Sequence, residues 1–339
     1  MATLTINYKD KVLEYPFTGR LPLMDGIRAA GVPFALPCGG SHTCGKCRVL
    51  IHNPPPPKKE EERLLTPAEL AQGVRLACLA TLTGSATITI QQGTGAEQIR
   101  RQGYLPRFEP DPPPAAEAAA YGFAADVGTT TLVVYLYRLG SGNVVQSCAA
   151  HNLQNAYGAD IISRIQQVMD KGVQPLQEIL CGQLSRMMSR CMEQSGITPR
   201  QVTACVITGN TAMLHLLTGL DPSSIAAAPF TPQSLFGGFW PGEPLGLRCP
   251  VYLPRCAGAY LGADLTCAAL AAEMDKPGAP ALLVDIGTNG EMLLAAGGRF
   301  WGCSAAAGPA FEGAGIAQGM TATTGAIDRV FLQNGQVYA

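Results

Sequence analysis

The segment FAADVGTTTLVVY, residues 123–135, consists of two apolar, strand-forming runs joined by an acid, a glycine and three threonines. This pattern predicts a β-hairpin with polar groups at its turn. A carboxylate in such a turn can hold hydrated Mg²⁺, and glycine N–H groups and threonine hydroxyls can surround phosphate oxygens. The candidate metal-anchoring residue is Asp126, and the candidate phosphate-binding residues are Gly128, Thr129 and Thr130.

The same pattern recurs as ALLVDIGTNGEMLL at residues 281–294. Its candidate residues are Asp285, Gly287, Thr288 and Asn289. An ordinary structural hairpin is the alternative for either copy, but two copies are far more informative than one. The pair resembles the two phosphate loops of the acetate and sugar kinase, Hsp70 and actin superfamily. That resemblance implies two ribonuclease-H-like lobes that clamp ATP between them.

Four cysteines near the amino terminus have the spacing of a metal centre. Cys38, Cys44 and Cys47 form a C-x5-C-x2-C pattern, and Cys78 follows after a longer gap. Four thiolates in this order are typical of a [2Fe–2S] cluster, although the first gap of plant-type ferredoxins is one residue shorter. A zinc site is the alternative. Zinc knuckles usually contain two C-x2-C pairs, and this motif contains one.

The segments around the cysteines favour a β-grasp domain. Alternating strands joined by a polar turn are predicted within residues 4–15, a helix within 21–30, and further strands at 49–51 and 86–90. With its cysteine loop, the stretch up to about residue 92 resembles the [2Fe–2S] ferredoxin domain. Prolines at 54–57 and the charged run that follows them are expected to form a solvated loop.

Composition shifts divide the chain into domains. A proline-rich stretch followed by alanines predicts a semi-rigid spacer. The predicted organisation is a ferredoxin-type domain at 1–95, a linker at 96–119, and an ATPase-like α/β domain at 120–339. Within the last domain the first lobe is expected at about 120–275 and the start of a second, incomplete lobe at about 276–339.

Three carboxylates outside the two turns are candidates for orienting a catalytic water: Asp160, Asp264 and Glu291. For each of them the alternative is a helix cap or a surface charge. His215 is predicted to be a hydrogen-bonded core residue, because it lies on the apolar face of a helix.

Composition excludes several classes of function. The 339 residues are 47% hydrophobic and 14% charged, with a net charge of −1. A nucleic-acid partner is not expected, because the chain has no basic stripe. A membrane partner is not expected either, because no stretch of about twenty residues is continuously apolar. We expect a cytoplasmic protein in which the eight cysteines outside the motif are buried free thiols.

In combination, the ferredoxin-like stretch, the two hairpins, and the segments 157–160 and 209–215 resemble the reductive activators of corrinoid-dependent enzymes. The resemblance implies an ATP-dependent, corrinoid-activating reductase. Such an enzyme passes an electron from its cluster to the cob(II)alamin of a corrinoid protein and restores cob(I)alamin. The implied cofactors are a [2Fe–2S] cluster and Mg-ATP, and the implied partners are a corrinoid protein and an upstream electron donor.

Alternative functions remain open at this level. One is an electron-transfer ferredoxin module with a non-catalytic docking domain, and another is a redox-sensing small-molecule kinase. A homodimer is a further open possibility. The chain stops within an apparent hairpin at residues 330–339. We therefore expect it to be the amino-terminal portion of a longer protein, without the purine pocket.

The cysteine motif generates a first prediction. Reconstituted protein is expected to bind two irons and two sulfides, and Cys44→Ala or Cys78→Ala should abolish the visible absorption because either change removes a ligand. Absorption spectroscopy with iron and sulfide analysis measures this, and Cys148→Ala, outside the motif, is the control. A stoichiometric zinc site without sulfide would contradict the cluster assignment.

Overall fold

The computed structural model describes residues 1–8, 11–32, 34, 36, 40, 42, 45–90, 120–287, 289–306, 330–333 and 336–338. The strands are β1 (Ala2–Tyr8), β2 (Lys11–Phe17), β3 (Leu21–Pro22), β4 (Arg48–His52), β5 (Val74–Leu76), β6 (Thr81–Leu82), β7 (Ala86–Ile90), β8 (Tyr121–Val127), β9 (Thr131–Arg138), β10 (Asn143–His151), β11 (Val202–Gly209), β12 (Gly238–Trp240), β13 (Val251–Leu253), β14 (Ala281–Ile286), β15 (Asn289–Ala296), β16 (Arg299–Ala306), β17 (Phe331–Gln333) and β18 (Gln336–Tyr338). The helices are α1 (Leu23–Ala29), α2 (Lys59–Leu64), α3 (Pro67–Ala71), α4 (Ile161–Lys171), α5 (Gln174–Ser195), α6 (Thr211–Thr218) and α7 (Ala263–Ala271).

The first of two compact units comprises Met1–Gln98, Asn155–Ala159 and Pro309–Ala339. Its main sheet has the order β2-β1-β7-β4-β5, in which β1 pairs antiparallel with β2 and parallel with β7. Alternation along β1 and β7 turns Leu4, Ile6 and Ile88 inward, where they share one core with Leu23 and Ile27 of α1. The predicted β-grasp is therefore confirmed.

The charged run after Pro57 departs from the prediction of a solvated loop. Helix α2 begins at Lys59, and Glu61 within it is only 2% exposed. The Glu61 carboxylate accepts the N–H of Leu76 at 2.7 Å and the N–H of Lys58 at 2.9 Å. A carboxylate can be buried when backbone donors satisfy it, so the prediction is wrong for this residue.

The second unit comprises Ile99–Gln154 and Asp160–Gly308. Its larger sheet has the order β10-β9-β8-β11-β13-β12, with β8, β11 and β13 parallel to one another and the remaining pairs antiparallel. Helix α5 packs on β9, β10 and α6 and buries Leu180, Leu184 and Met188 completely. This mixed sheet is the ribonuclease-H-like lobe that the sequence predicts.

A smaller sheet of the second unit has the order β14-β15-β16. Both predicted hairpins are therefore present, as β8–β9 and β14–β15. One face of the small sheet packs on α7, where Leu293 contacts Leu265 and Ala269. On the other face, Leu282 and Ile286 of β14 are exposed.

In the described part of the chain, the eight cysteines outside the metal motif form no disulfide with one another. Most are buried as predicted, but Cys148 and Cys267 are only partly buried, and Cys303 on β16 is exposed, contrary to expectation. No helix in the part of the chain that the structure describes is long and apolar enough to span a membrane.

The turn before β5 generates a second prediction. Gly73 has φ +92°, and a Cβ atom there would lie 2.8 Å from the carbonyl oxygen of Ile51. We expect Gly73→Ala to lower the free energy of unfolding by about 1–3 kcal/mol, because it adds backbone strain and a clash with main chain. Chemical denaturation measures this. Gly84→Ala is the matched control, since no atom lies within 4 Å of its added Cβ, and equal losses in both variants would contradict the argument.

Candidate functional site

Two of the four motif cysteines lie in the described part of the first unit. The Sγ atoms of Cys47 and Cys78 are 3.2 Å apart. Their segments are joined by a hydrogen bond from the Ala77 N–H to the Cys47 carbonyl oxygen at 2.8 Å. Cys38 and Cys44 lie outside the described residues.

The separation of the two sulfurs fits a shared metal atom. It is well beyond the roughly 2.05 Å of a disulfide. Two thiolates on one tetrahedral metal with bonds of about 2.3 Å lie about 3.8 Å apart, so a small outward movement of the two side chains would bring them to that spacing. Among the described residues no group of three or more His, Cys, Asp or Glu side chains is arranged to hold a metal, as expected when two of the four ligands lie outside them.

The chain between the third and fourth cysteines braces this site. The Arg48 guanidinium donates to the carbonyl oxygen of Gly45 and to the Glu69 carboxylate at 2.9 Å. Hydrogen bonds from Thr66, followed by those from Arg48, lower the pKa of Glu69. Gly45 has φ +63°, a conformation that favours glycine. The cysteine loop is therefore anchored by an ion pair next to its tight turn.

The first hairpin of the second unit is closed tightly at its turn. The Gly128 N–H donates to the Thr131 carbonyl oxygen at 2.9 Å. A Cβ atom on Gly128 would lie 2.7 Å from the same oxygen, so only glycine fits. Asp126 stands one residue before the end of β8, at the mouth of this turn.

Two residues that the sequence did not single out hold the turn from behind. Asn152 donates from Nδ2 to the Gly128 carbonyl at 3.0 Å and from its N–H to the Thr130 carbonyl at 2.9 Å. The Arg164 guanidinium donates to the Thr129 carbonyl. The sequence does indicate that Arg164 is buried, because it stands three residues after Ile161 and four before Val168, on the buried face of α4.

The loop after β11 lies beside the first hairpin. In the parallel pairing of β8 with β11, Thr208 is opposite Asp126, so both strands end at the same edge. Asn210 then donates from Nδ2 to Thr129 Oγ1 at 3.1 Å, while its Oδ1 accepts the Met213 N–H and caps α6. The predicted strand–turn–helix segment thus contributes Asn210 to the site.

The glycine-rich loop before α7 completes this edge. A Cβ atom on Gly262 would lie 2.5 Å from Asn210 Cα and 2.4 Å from Asp264 Oδ1. The absence of a side chain at Gly262 therefore lets the Asp264 loop lie directly against the Asn210 loop. Asp264 is in the first turn of α7, and its Oδ1 also accepts the Leu265 N–H at 2.9 Å.

Four acids form a carboxylate cluster at these loops: Asp126, Asp264, Asp285 and Glu291. Desolvation raises the pKa of Asp126 to about 6, with contributions from Asp264 and Asp285. The Asp126 residue is nevertheless exposed to solvent, so water screens part of this effect. Desolvation and the same two acids raise the pKa of Glu291 to about 7. Burial, with Asp285, also raises the pKa of Asp264.

The second hairpin supplies two of these acids. Asp285 and Glu291 are cross-strand partners on β14 and β15. The Gly287 N–H donates to the Asn289 carbonyl oxygen at 2.9 Å, so this turn is closed much as the first one is. Thr288 lies outside the described residues.

Two other predicted residues lie elsewhere in the unit. Asp160 caps α4, accepting the Ser163 N–H at 2.8 Å and the Ser163 hydroxyl at 2.7 Å, which is the alternative role considered for it. His215 is fully buried and hydrogen-bonded to the Thr211 carbonyl and the Ser234 N–H. The core assignment of His215 is confirmed.

The chemistry of the carboxylate cluster favours binding of a hydrated cation. The pKa values of Asp126, Asp264 and Glu291 are raised, and with Asp285 these acids concentrate negative potential at one edge of the sheets. Mg²⁺ is usually held by one or two carboxylates together with water and substrate phosphates. Among the described residues no three ligand-type side chains are arranged to hold a metal, so a cation here would take most of its ligands from water and from a bound phosphate.

The fold and these sites define an iron–sulfur protein that also carries an ASKHA-type domain, the actin and Hsp70-like architecture. Three family models match consecutive parts of the chain. The 2Fe-2S iron-sulfur cluster binding domain matches residues 7–83, the RACo middle region residues 121–277, and the C-terminal domain of RACo, the ASKHA domain, residues 279–338. The chain belongs to the RACo family.

Individual relatives agree with this assignment. A corrinoid activation enzyme of Eubacterium limosum, RamQ, is 34% identical over 228 residues, covering 65% of this chain and 38% of that protein. The [Co(II) methylated amine-specific corrinoid protein] reductase of Methanosarcina barkeri is 28% identical over 222 residues, covering 61% of this chain and 40% of that protein. The matched part of this chain thus spans less than half the length of these curated relatives.

A solved structure is similar over nearly the whole chain. It is described as a reductive activator for corrinoid, iron-sulfur protein, and the two chains are 26% identical with a TM-score of 0.61. The match covers 99% of this chain and 68% of that one. The order of the domains is therefore the same in both proteins.

The carboxylate cluster generates a third prediction. Because the pKa of Asp126 is raised in the folded protein, the native state binds a proton more tightly than the unfolded state, and stability falls as pH rises from about 4 to above 6. Without nucleotide or metal, Asp126→Asn should therefore raise the melting temperature at pH 7.5, with a smaller gain at pH 4.

Thermal denaturation in the presence of a chelator measures this difference. Asp275→Asn, at an exposed position outside the cluster, is the control and should leave the melting temperature nearly unchanged. A melting temperature of Asp126→Asn at or below that of the wild type at pH 7.5 would show that repulsion within the carboxylate cluster does not destabilise the folded protein.

Proposed function

We propose that the chain is part of an ATP-dependent reductive activator that passes one electron from a [2Fe–2S] cluster to the cob(II)alamin of a corrinoid protein, restoring cob(I)alamin. The observation that carries the proposal is the combination, in one chain, of a cysteine-loop domain with two hairpins whose acids form one cluster. The relatives described as acting on corrinoid proteins support the choice of substrate.

In this proposal the two hairpins bind the phosphates of Mg-ATP. Turns with close-packed glycines and threonine hydroxyls suit phosphate oxygens. Asp126 and Asp285 hold the hydrated metal from opposite hairpins. The remaining phosphate ligands are Gly128, Thr129, Thr130, Gly287, Thr288 and Asn289.

Asp264 and Glu291 are the better candidates for orienting the attacking water. Both belong to the carboxylate cluster, and the raised pKa of Glu291, about 7, suits proton acceptance near neutral pH. Asp160 uses both carboxylate oxygens to cap α4. In this proposal Asp160 therefore acts by holding the start of that helix.

Energetics explain why one protein needs both parts. Plant-type clusters have potentials of about −400 mV, and the family resemblance implies a lower potential for the cobalt couple. For a single electron each ~59 mV uphill costs a factor of ten in the equilibrium constant. ATP can offset an uphill transfer only by favouring one conformation of the complex over another. The ATPase-like domain is therefore expected to act on the conformation of the corrinoid partner in the cytoplasm, while a separate donor reloads the cluster.

A fourth prediction tests this function in the protein produced from the complete gene. Under anaerobic conditions, cob(II)alamin protein should be reduced with ATP and much more slowly without it. Asp126→Ala and Asp285→Ala should each weaken Mg-ATP binding about tenfold or more and slow reduction, because each removes a metal anchor. The visible spectrum of the cluster should stay unchanged.

Cobalt absorption and nucleotide titration measure these effects, with Asp275→Ala as the control. Equal reduction with and without ATP, or equal ATP affinity in all variants, would instead support an electron-transfer module whose second domain is a docking scaffold.

A further inference from the structure

The carbonyl groups of the first hairpin turn all accept hydrogen bonds from one buried layer. The Gly128 and Thr130 carbonyls accept from Asn152, and the Thr129 carbonyl accepts from Arg164. In a trans peptide the C=O of one residue and the N–H of the next point in opposite directions. With their carbonyls fixed on the inner side, the peptides after Gly128 and Thr129 direct their N–H groups away from that layer.

Arg164 is an unusual residue for this position because it is completely buried. Its Nη1 donates to Gln154 Oε1 and to Met213 Sδ, both at 3.1 Å. Burial lowers the pKa of Arg164 to about 9, partly opposed by Asp160, so the guanidinium stays charged at neutral pH. Burying a charge costs free energy of folding, and the Arg164 charge is buried directly against the Thr129 carbonyl of the first hairpin turn.

The layer that contains Arg164 is a continuous hydrogen-bonded network. Gln154, fully buried, donates from Nε2 to the Leu176 carbonyl at 2.8 Å and from its N–H to Asn152 Oδ1 at 3.0 Å. The network therefore connects α5 to both residues that hold the turn. Such a fully satisfied network limits the positions available to each member.

We infer that Arg164 is a positioning residue of the first hairpin, which sets the peptide groups of the turn for a phosphate ligand and places a fixed positive charge behind them. This inference rests on the proposed function only in taking nucleotide phosphate as the ligand. An anion approaching four acids is repelled, and a fixed cation behind the turn reduces that repulsion. Arg164 reaches the ligand only through Thr129 and is therefore not a catalytic residue.

The test compares Arg164→Met with a variant that also loses buried hydrogen bonds but whose side chain does not contact the turn. Gln183 is buried, accepts the Leu153 N–H at 2.9 Å and donates to the His151 carbonyl at 2.6 Å. Gln183→Met therefore reproduces the loss of buried hydrogen bonds. Mg-ATP, Mg-ADP and adenosine are titrated into the protein produced from the complete gene, and melting temperatures are recorded.

Arg164→Met is expected to weaken Mg-ATP binding about tenfold or more, with a smaller loss for Mg-ADP and none for adenosine. Gln183→Met should lower the melting temperature while binding Mg-ATP within about twofold of wild type. Arg164→Lys should recover part of the loss, because it keeps the charge but has a single donor group. A purely structural role would give no dependence on the number of phosphates.

Two results overturn the inference, and they are distinct from failure of the proposed function. In the first, wild type binds Mg-ATP and Arg164→Met binds it equally well. In the second, Arg164→Met and Gln183→Met weaken all three ligands alike. Absence of Mg-ATP binding by the wild type would reject the proposed nucleotide site itself. If Arg164→Met does not fold, Asn152→Ala decides, with at least a threefold loss of Mg-ATP affinity expected and an unchanged affinity contradicting the inference.

Discussion

The parallel pairing of β8 with β11 determines which side chains reach the working edge of the second unit. Its register sets Asp126 opposite Thr208 and Val127 opposite Gly209. Because side chains alternate between the faces of a strand, a shift of one residue would turn Asp126 to the other face of the sheet. The loops that follow then contribute Asn210 and, through the contact at Gly262, Asp264.

Charge at this edge opposes the stability of the protein without its ligand. The pKa values of Asp126 and Glu291 are raised because each acid loses water and faces like charges. A bound cation would relieve this repulsion, so the binding energy of the cation and the charge repulsion of the free protein are coupled. Functional sites often retain such unfavourable charge, and the supporting structure must compensate for it.

Local patterns made much of the molecule predictable from its sequence. The two hairpins and the β-grasp elements follow from alternating or continuous apolar runs ended by glycine or polar residues. Asp160 is a capping residue, and its sequence pattern could not separate that role from catalysis. Asn152 and Arg164 were missed because their partners are main-chain carbonyls, which no sequence motif records. The burial of Glu61 does not follow from the local sequence, because its partner, the Leu76 N–H, is distant in the chain.

Folding of the first unit alone brings together the segments that carry the third and fourth cysteines of the motif. The Ala77 N–H donates to the Cys47 carbonyl oxygen, which joins the segments that carry Cys47 and Cys78. The neighbouring Leu76 N–H donates to the Glu61 carboxylate. These segments are therefore joined through protein contacts alone. The entropy cost of bringing the Sγ atoms of Cys47 and Cys78 to 3.2 Å is thus met by folding and not by metal binding.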